Sequence, residues 1–290
     1  MKVCGFTIVR NAVKFGYPVV ESIKSVLPLC DHFVVAVGDS DDITLQLIQS
    51  IDPSKITVIE TVWDQTLRQG GRVLAVETNK AFDAISEEFD WCFYIQADEV
   101  VHEKDYPAIR AAMLQWKNNA SVEGLLFKYY HFWGTFDYIG VNRQWYRQEI
   151  RIVRNDKHIR SFRDAQGFRK NDRKLKVKQI DAHIYHYGWV RPPDIIKSKI
   201  SNFNSLYYEG EHLERKLRAA ESFDYSEINA VEKFSESHPE VMKILISNLD
   251  WHVDIDPFKA KCSLKDRILS AFEKTFKYRL FEYKNYTIIK

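Results

Sequence analysis

Two carboxylates, Asp98 and Glu99, follow directly on the apolar run 91–95 (WCFYI). A side chain just past the end of a buried strand is held at the rim of a sheet, where ligands bind. A carboxylate there can hold a divalent cation, which bridges phosphate oxygens and neutralises charge on a leaving diphosphate. Gln96 offers an amide that hydrogen-bonds a ribose or coordinates weakly through its oxygen. Arg72 stands where Gly70-Gly71 opens a helical pattern. A guanidinium at a helix N-terminus suits a diphosphate, because backbone N–H groups and the side chain donate together; a plain surface arginine is the alternative. Arg191 reads either as a grip on the same diphosphate or as a surface ion pair. His183 and His186 lie three residues apart on an apolar run, so only one of them can face a cleft. His186, beside Gly188-Trp189, is the better candidate.

These residues need a scaffold. The first hundred residues alternate short apolar runs (3–9, 32–37, 56–59 and 91–95) with helical spacings (18–27, a segment after Asp41-Asp42, and 72–85). Strands separated by helices predict an α/β protein with a mostly parallel sheet covered on both faces. Farther on, 124–128, 149–153 and 182–187 read as strands and 154–180 as a basic loop. Beyond Pro192-Pro193 the pattern predicts helices at 194–209, 212–220, 225–234 and 240–248. A last amphipathic helix places Leu264, Ile268, Phe272, Phe276 and Leu280 four residues apart. Residues 1–190 are thus expected as one α/β domain, with 1–100 and 101–190 as its two halves. Residues 191–290 are expected as a helical extension.

The order of FTIVRN, VAVGDSDDIT, the Gly-Gly helix ending ETNKAF, and FYIQADE resembles that of family 2 glycosyltransferases, over about residues 1–190. The resemblance implies a GT-A fold and transfer of a sugar, with inversion, from a nucleotide-diphosphate donor to a glycan or lipid-linked acceptor. It implies a role in bacterial surface polysaccharide synthesis, with Mg2+ or Mn2+ as cofactor. QADE is similar to the DXD motif that binds metal and diphosphate, with Gln96 in place of its first acid. Asp98, Glu99 and His186 are then the metal candidates, and Asp39, Arg72, Asn79, Gln96, Asp98 and Arg191 the donor-binding ones. Asp39, Asp41 and Asp42 can equally serve as turn and helix-cap residues. Asp164, in FRDAQGFR, sits where the family places the base that deprotonates the acceptor hydroxyl. Two alternatives stand beside this reading: a metal-dependent nucleotidyltransferase, and a non-catalytic protein that binds glycan or nucleic acid. Neither the Walker phosphate loop nor the dinucleotide GxGxxG pattern is present.

The net charge is +2, but 143–178 carries thirteen Lys/Arg against four Asp/Glu, and 258–290 nine against three. Such segments suit an anionic partner or form a solvated basic face; nucleic acid is not the partner expected. With 45% hydrophobic residues and no low-complexity tract, a folded core is expected. The aromatic run 129–146 reads equally as an acceptor platform or as core. Cys4, Cys30, Cys92 and Cys262 have no CxxC spacing and read as reduced, buried thiols of a cytoplasmic protein. No apolar stretch is long enough to span a bilayer. The final helix could lie peripherally on the inner face of a membrane, or dock its stripe on the domain.

Overall fold

Apolar residues on both faces of the first strands make them the buried centre of the molecule. β1 (Val3–Val9), β2 (His32–Gly38), β3 (Ile56–Thr61) and β4 (Trp91–Tyr94) run parallel in the order β3-β2-β1-β4. Phe33, Val35 and Val37 of β2 point to one face, and Val34 and Ala36 to the other. The first face is covered by α1 (Val19–Val26), α2 (Thr44–Gln49) and α4 (Tyr106–Trp116), which bury Ile23, Ile48 and Met113. The second is covered by α3 (Arg72–Asp83) through Ala81 and Phe82. This is the α/β class expected, with helices on both faces. The computed structural model describes residues 1–64, 66–67, 69–225, 230–253, 255, 264–276 and 279–290.

The second half reverses direction. β5 (Glu99–Val101), β6 (Gly124–Trp133), β7 (Tyr138–Gly140), β8 (Gln148–Arg154), β9 (Ile159–Phe162), β10 (Gly167–Lys170) and β11 (Arg173–Trp189) extend the sheet as β4-β8-β6-β11-β10-β9. β8 is antiparallel to β4 and β6, while β6 and β11 are parallel to each other. Residues 154–180 are therefore not a basic loop. Most of that segment is β9, β10 and the first half of the seventeen-residue β11. Several of its basic residues are met by partners elsewhere in the fold, while Arg163, Lys174 and Lys176 stay exposed. Arg160 pairs with Asp83, Lys170 with Asp156 and Arg173 with Glu123, while Lys157 and Arg169 donate to backbone carbonyls. Arg143 and Arg147 pair with Glu273 and Glu282.

Residues beyond 190 are not only helical. α5 (Pro193–Ser205), α6 (Gly210–Glu221), α7 (Lys243–Ser247) and α8 (Leu264–Phe276) are joined by β12 (Val231–Lys233) and β13 (Tyr286–Ile288). β12 pairs with β7 and β13 with β11, so this part is woven into the sheet. Of the helix expected at 225–234, residues 231–233 form β12 and 226–229 lie outside the described residues. In α8, Glu273 ties the helix to Arg143 and Arg147, while Ile268 and Phe276 are exposed. Leu280 lies beyond its end. Among the described residues no helix is long and apolar enough to cross a membrane. Cys4, Cys30 and Cys92 are buried and free, and Cys262 lies outside the described residues.

Candidate functional site

A cavity of about 440 Å³ opens at the carboxyl ends of β1 and β4. Its wall includes Arg10 after β1, Gln96 and Asp98 after β4, Trp63 from the segment after β3, Asp164 between β9 and β10, His186 of β11, and Lys199 of α5. Adjacent parallel strands bring Arg10 and Asp98 to one sheet edge although they are far apart in sequence.

The turn carrying Asp98 is fixed by its neighbour. Glu99 is fully buried and takes two hydrogen bonds of 2.7 Å from the equally buried Arg151 guanidinium. The Tyr129 hydroxyl (2.8 Å) and the Gln96 backbone N–H (3.1 Å) also donate to it. A bidentate pair with its remaining lone pairs satisfied is the arrangement that makes a buried ion pair tenable. Glu99 was expected as a metal ligand beside Asp98. It is instead turned away from the cavity and held by Arg151.

Asp98 is 8% exposed and opens onto the cavity. Lys199 Nζ lies 3.0 Å from its Oδ2 and also donates to the Gly188 carbonyl at 2.6 Å. Burial alone would raise the Asp98 carboxyl, but the Lys199 and Arg191 cations hold it well below the usual carboxylate range. Burial pushes Lys199 down to about 8 against the pull of Asp98. His186 Nε2 lies 3.7 Å from Asp98 Oδ1, beyond a hydrogen bond. The tautomer of His186 follows from its other side. The Tyr146 carbonyl can only accept, so His131 Nε2 donates to it (2.7 Å) and His131 Nδ1 is left as an acceptor. Burial keeps His131 and His186 neutral by lowering both imidazoles. His186 Nδ1 therefore donates across the 3.0 Å contact to His131, and its Nε2 is turned to Asp98.

These residues do not fit a divalent cation. Mg2+ and Mn2+ favour several oxygen ligands. Here a single carboxylate and one imidazole are offered, and the carboxylate already holds an ammonium. At about 5 Å, a +2 ion and an ammonium repel by roughly 7 kcal/mol at an effective dielectric of 20. Among the described residues no group of three or more His, Cys, Asp or Glu gathers as a metal site.

The other expected residues are distributed as follows. Asp39 sits at the rim, its carboxylate 3.2 Å from the Arg10 guanidinium and accepting from the Trp63 backbone N–H (3.3 Å). Arg10 in turn lies over the Trp63 ring. Asp41 pairs with Lys14, and Asp42 caps the turn before α2 by accepting from Thr44 N (2.9 Å). Arg72 is exposed at the first position of α3 and does not line the cavity. Asn79 accepts from Ser161 N (2.8 Å), tying α3 to β9 rather than facing the cavity. Arg191 lies behind the wall, 3% exposed, donating to the carbonyls of Phe15, Tyr187 and Val190. Asp164 is half-buried on the wall and accepts from the Tyr207 hydroxyl at 3.1 Å. Of the aromatic run 129–146, Tyr129, Phe132, Trp133 and Phe136 are core, and Tyr146 reaches the cavity. Lys199 and Trp63 were not expected from sequence, whereas Arg10 lies where a residue following the first strand is expected to face the ligand.

A second hollow of about 270 Å³ lies beside Asp90, Lys117, Asp156 and Lys170, whose charges pair with one another.

No protein-family model matches this chain. No curated protein matches it in sequence either. Solved structures do resemble it. TarS of S. aureus aligns at TM-score 0.41 and 15% identity, over 76% of this chain and 43% of that one. The chain thus spans less than half the length of TarS. A 4-diphosphocytidyl-2C-methyl-D-erythritol synthase of Anaerococcus prevotii aligns at 0.39 and 11%, over 67% and 93%. Glucosyl-3-phosphoglycerate synthase of Mycobacterium tuberculosis, solved with Mn2+, UDP and phosphoglyceric acid, aligns at 0.29 and 18%, over 45% and 43%.

Proposed function

We propose that this chain is a glycosyltransferase of the GT-A type, moving a sugar from a nucleotide-diphosphate donor to a hydroxyl of a glycan or lipid-linked acceptor with inversion. The observation that carries the reading is the cavity at the carboxyl ends of β1 and β4. It joins a cation and an aromatic ring (Arg10, Trp63) to a buried carboxylate–ammonium pair (Asp98, Lys199) and a separate half-buried carboxylate (Asp164). Arg10, Asp39 and Trp63 suit a nucleoside, through stacking and hydrogen bonds to ribose or base. Gln96 adds an amide on the same wall. Lys199 suits the diphosphate. Asp164 takes the proton of the acceptor hydroxyl as its oxygen attacks the anomeric carbon and the bond to the diphosphate breaks. Tyr207 orients that carboxylate. Surface polysaccharide synthesis fits such an acceptor, with α8 and the residues around it as the membrane-facing side of a cytoplasmic protein.

The non-catalytic nucleic-acid reading leaned on the basic segment, of which Arg160, Lys170 and Arg173 are ion-paired to acids elsewhere in the chain. A thermal-shift panel of nucleoside diphosphates tests the proposal. One of them is expected to raise the melting temperature of the wild type, as ligand binding to the folded state must. Arg10→Ala and Asp98→Ala are expected to lose most of that rise. No shift with any nucleotide would refute the assignment.

A further inference from the structure

We propose that Lys199 is the resident cation of this site, so that an ammonium rather than a divalent metal meets the diphosphate. This rests on the donor reading above and deepens it. Three observations converge. First, Lys199 reaches in from α5, outside the sheet, and its side chain, 14% exposed, lines the cavity at Asp98. Nζ gives two donors to Asp98 and the Gly188 carbonyl, and its third N–H, beside the Tyr17 ring 4.9 Å away, is left for a ligand. Second, the charges around Asp98 do not balance. Arg191 is buried behind it, its guanidinium over the Tyr17 ring, and among the described residues it has no carboxylate in ion-pair contact and its Nη2 no hydrogen-bond partner. Lys199 and Arg191 thus set two cations beside one carboxylate, and the surplus positive charge calls for an anion. Third, the atoms that would have to hold a metal are taken: Glu99 by Arg151, Asp98 by Lys199. Asp98 then acts as a positioning residue, holding the ammonium at the cavity wall. A lysine ammonium is a point charge that suits a phosphate without demanding bidentate geometry.

The test is calorimetric titration of the full chain with UDP and with inorganic pyrophosphate, each in EDTA and in Mn2+. The wild type is expected to bind both ligands equally well in the two conditions. Lys199→Met is expected to weaken binding in EDTA by roughly ten- to a hundredfold, the worth of a charge-assisted hydrogen bond. Mn2+ is not expected to restore that loss, because Asp98 and His186 alone offer too few ligands to hold it. Lys199→Arg keeps the charge and is expected to bind in EDTA, which holds the test open should the methionine variant fold poorly. Wild-type binding that vanishes in EDTA and returns with Mn2+ would overturn the inference and leave the donor reading standing. Pyrophosphate binding through Lys199 without UDP binding would sink the donor reading instead. Binding of neither ligand would overturn both.

Discussion

Glu149 shows how one buried side chain sets the behaviour of the sheet behind the cavity. It is almost fully buried on β8 and accepts from the Ile150 backbone N–H at 2.9 Å. Burial raises its carboxyl to about 7, although Arg151 and Asn285 pull the other way. The native state thus binds this proton more tightly than the unfolded chain, whose carboxyl stays near 4.5. Its contribution is fully present below about 4.5 and is lost as pH rises through about 7. Glu149→Gln is therefore expected to flatten the fall in melting temperature between pH 5 and 7. Above pH 7 it should raise that temperature by several degrees, at roughly 2–4 °C per kcal/mol. Superimposable pH profiles for wild type and variant would contradict this. The residue scale is also where sequence reading was most uneven. Asp98 was legible because a carboxylate after a four-residue apolar strand has few other uses. Lys199, 101 residues away on a polar helix, was not, since nothing local marks the residue that will meet a distant carboxylate. Glu99 misled because adjacency in sequence was taken for adjacency in space.

At the scale of elements, the strand–helix alternation of the first hundred residues was readable because both faces of each strand are apolar and each helix has one buried stripe. The hairpin β9–β10 was missed. Its strands are four residues long and carry arginines, which a loop would also carry, and their partners lie on α3 and the C-terminal segment. The connection between α3 and α5 matters most for the site. Gly71 takes φ +70° at the start of α3, and a Cβ there would stand 2.6 Å from Cζ of Tyr207, whose hydroxyl holds Asp164. Gly71→Ala pays the left-handed cost of about 1–2 kcal/mol and displaces the Tyr207 ring. Turnover is expected to fall about tenfold, as for the loss of one positioning contact worth 1.4 kcal/mol. Tyr207→Phe, which removes the hydrogen bond without a clash, should reproduce part of the loss. Full activity in Gly71→Ala would mean that Asp164 needs no such support.

Across the whole molecule, charge and connectivity are coupled. The basic segment, which suited an anionic partner or a solvated face, divides into residues paired to acids elsewhere in the chain and exposed ones such as Lys174 and Lys176, a division composition cannot reveal because pairing depends on the fold. The C-terminal hundred residues, expected as an appendage, supply β12 and β13 to the sheet and Lys199 to the cavity. The site is thus closed by chain from both ends of the sequence, and the sheet-edge crevice becomes a pocket only when α5 has packed. A crystal structure of the full chain with bound UDP tests this most directly. The nucleoside is expected beside Arg10 and Trp63, with the β-phosphate within hydrogen-bond reach of Lys199 Nζ. UDP seated in the hollow near Lys117, or anywhere away from the ends of β1 and β4, would contradict the proposed function.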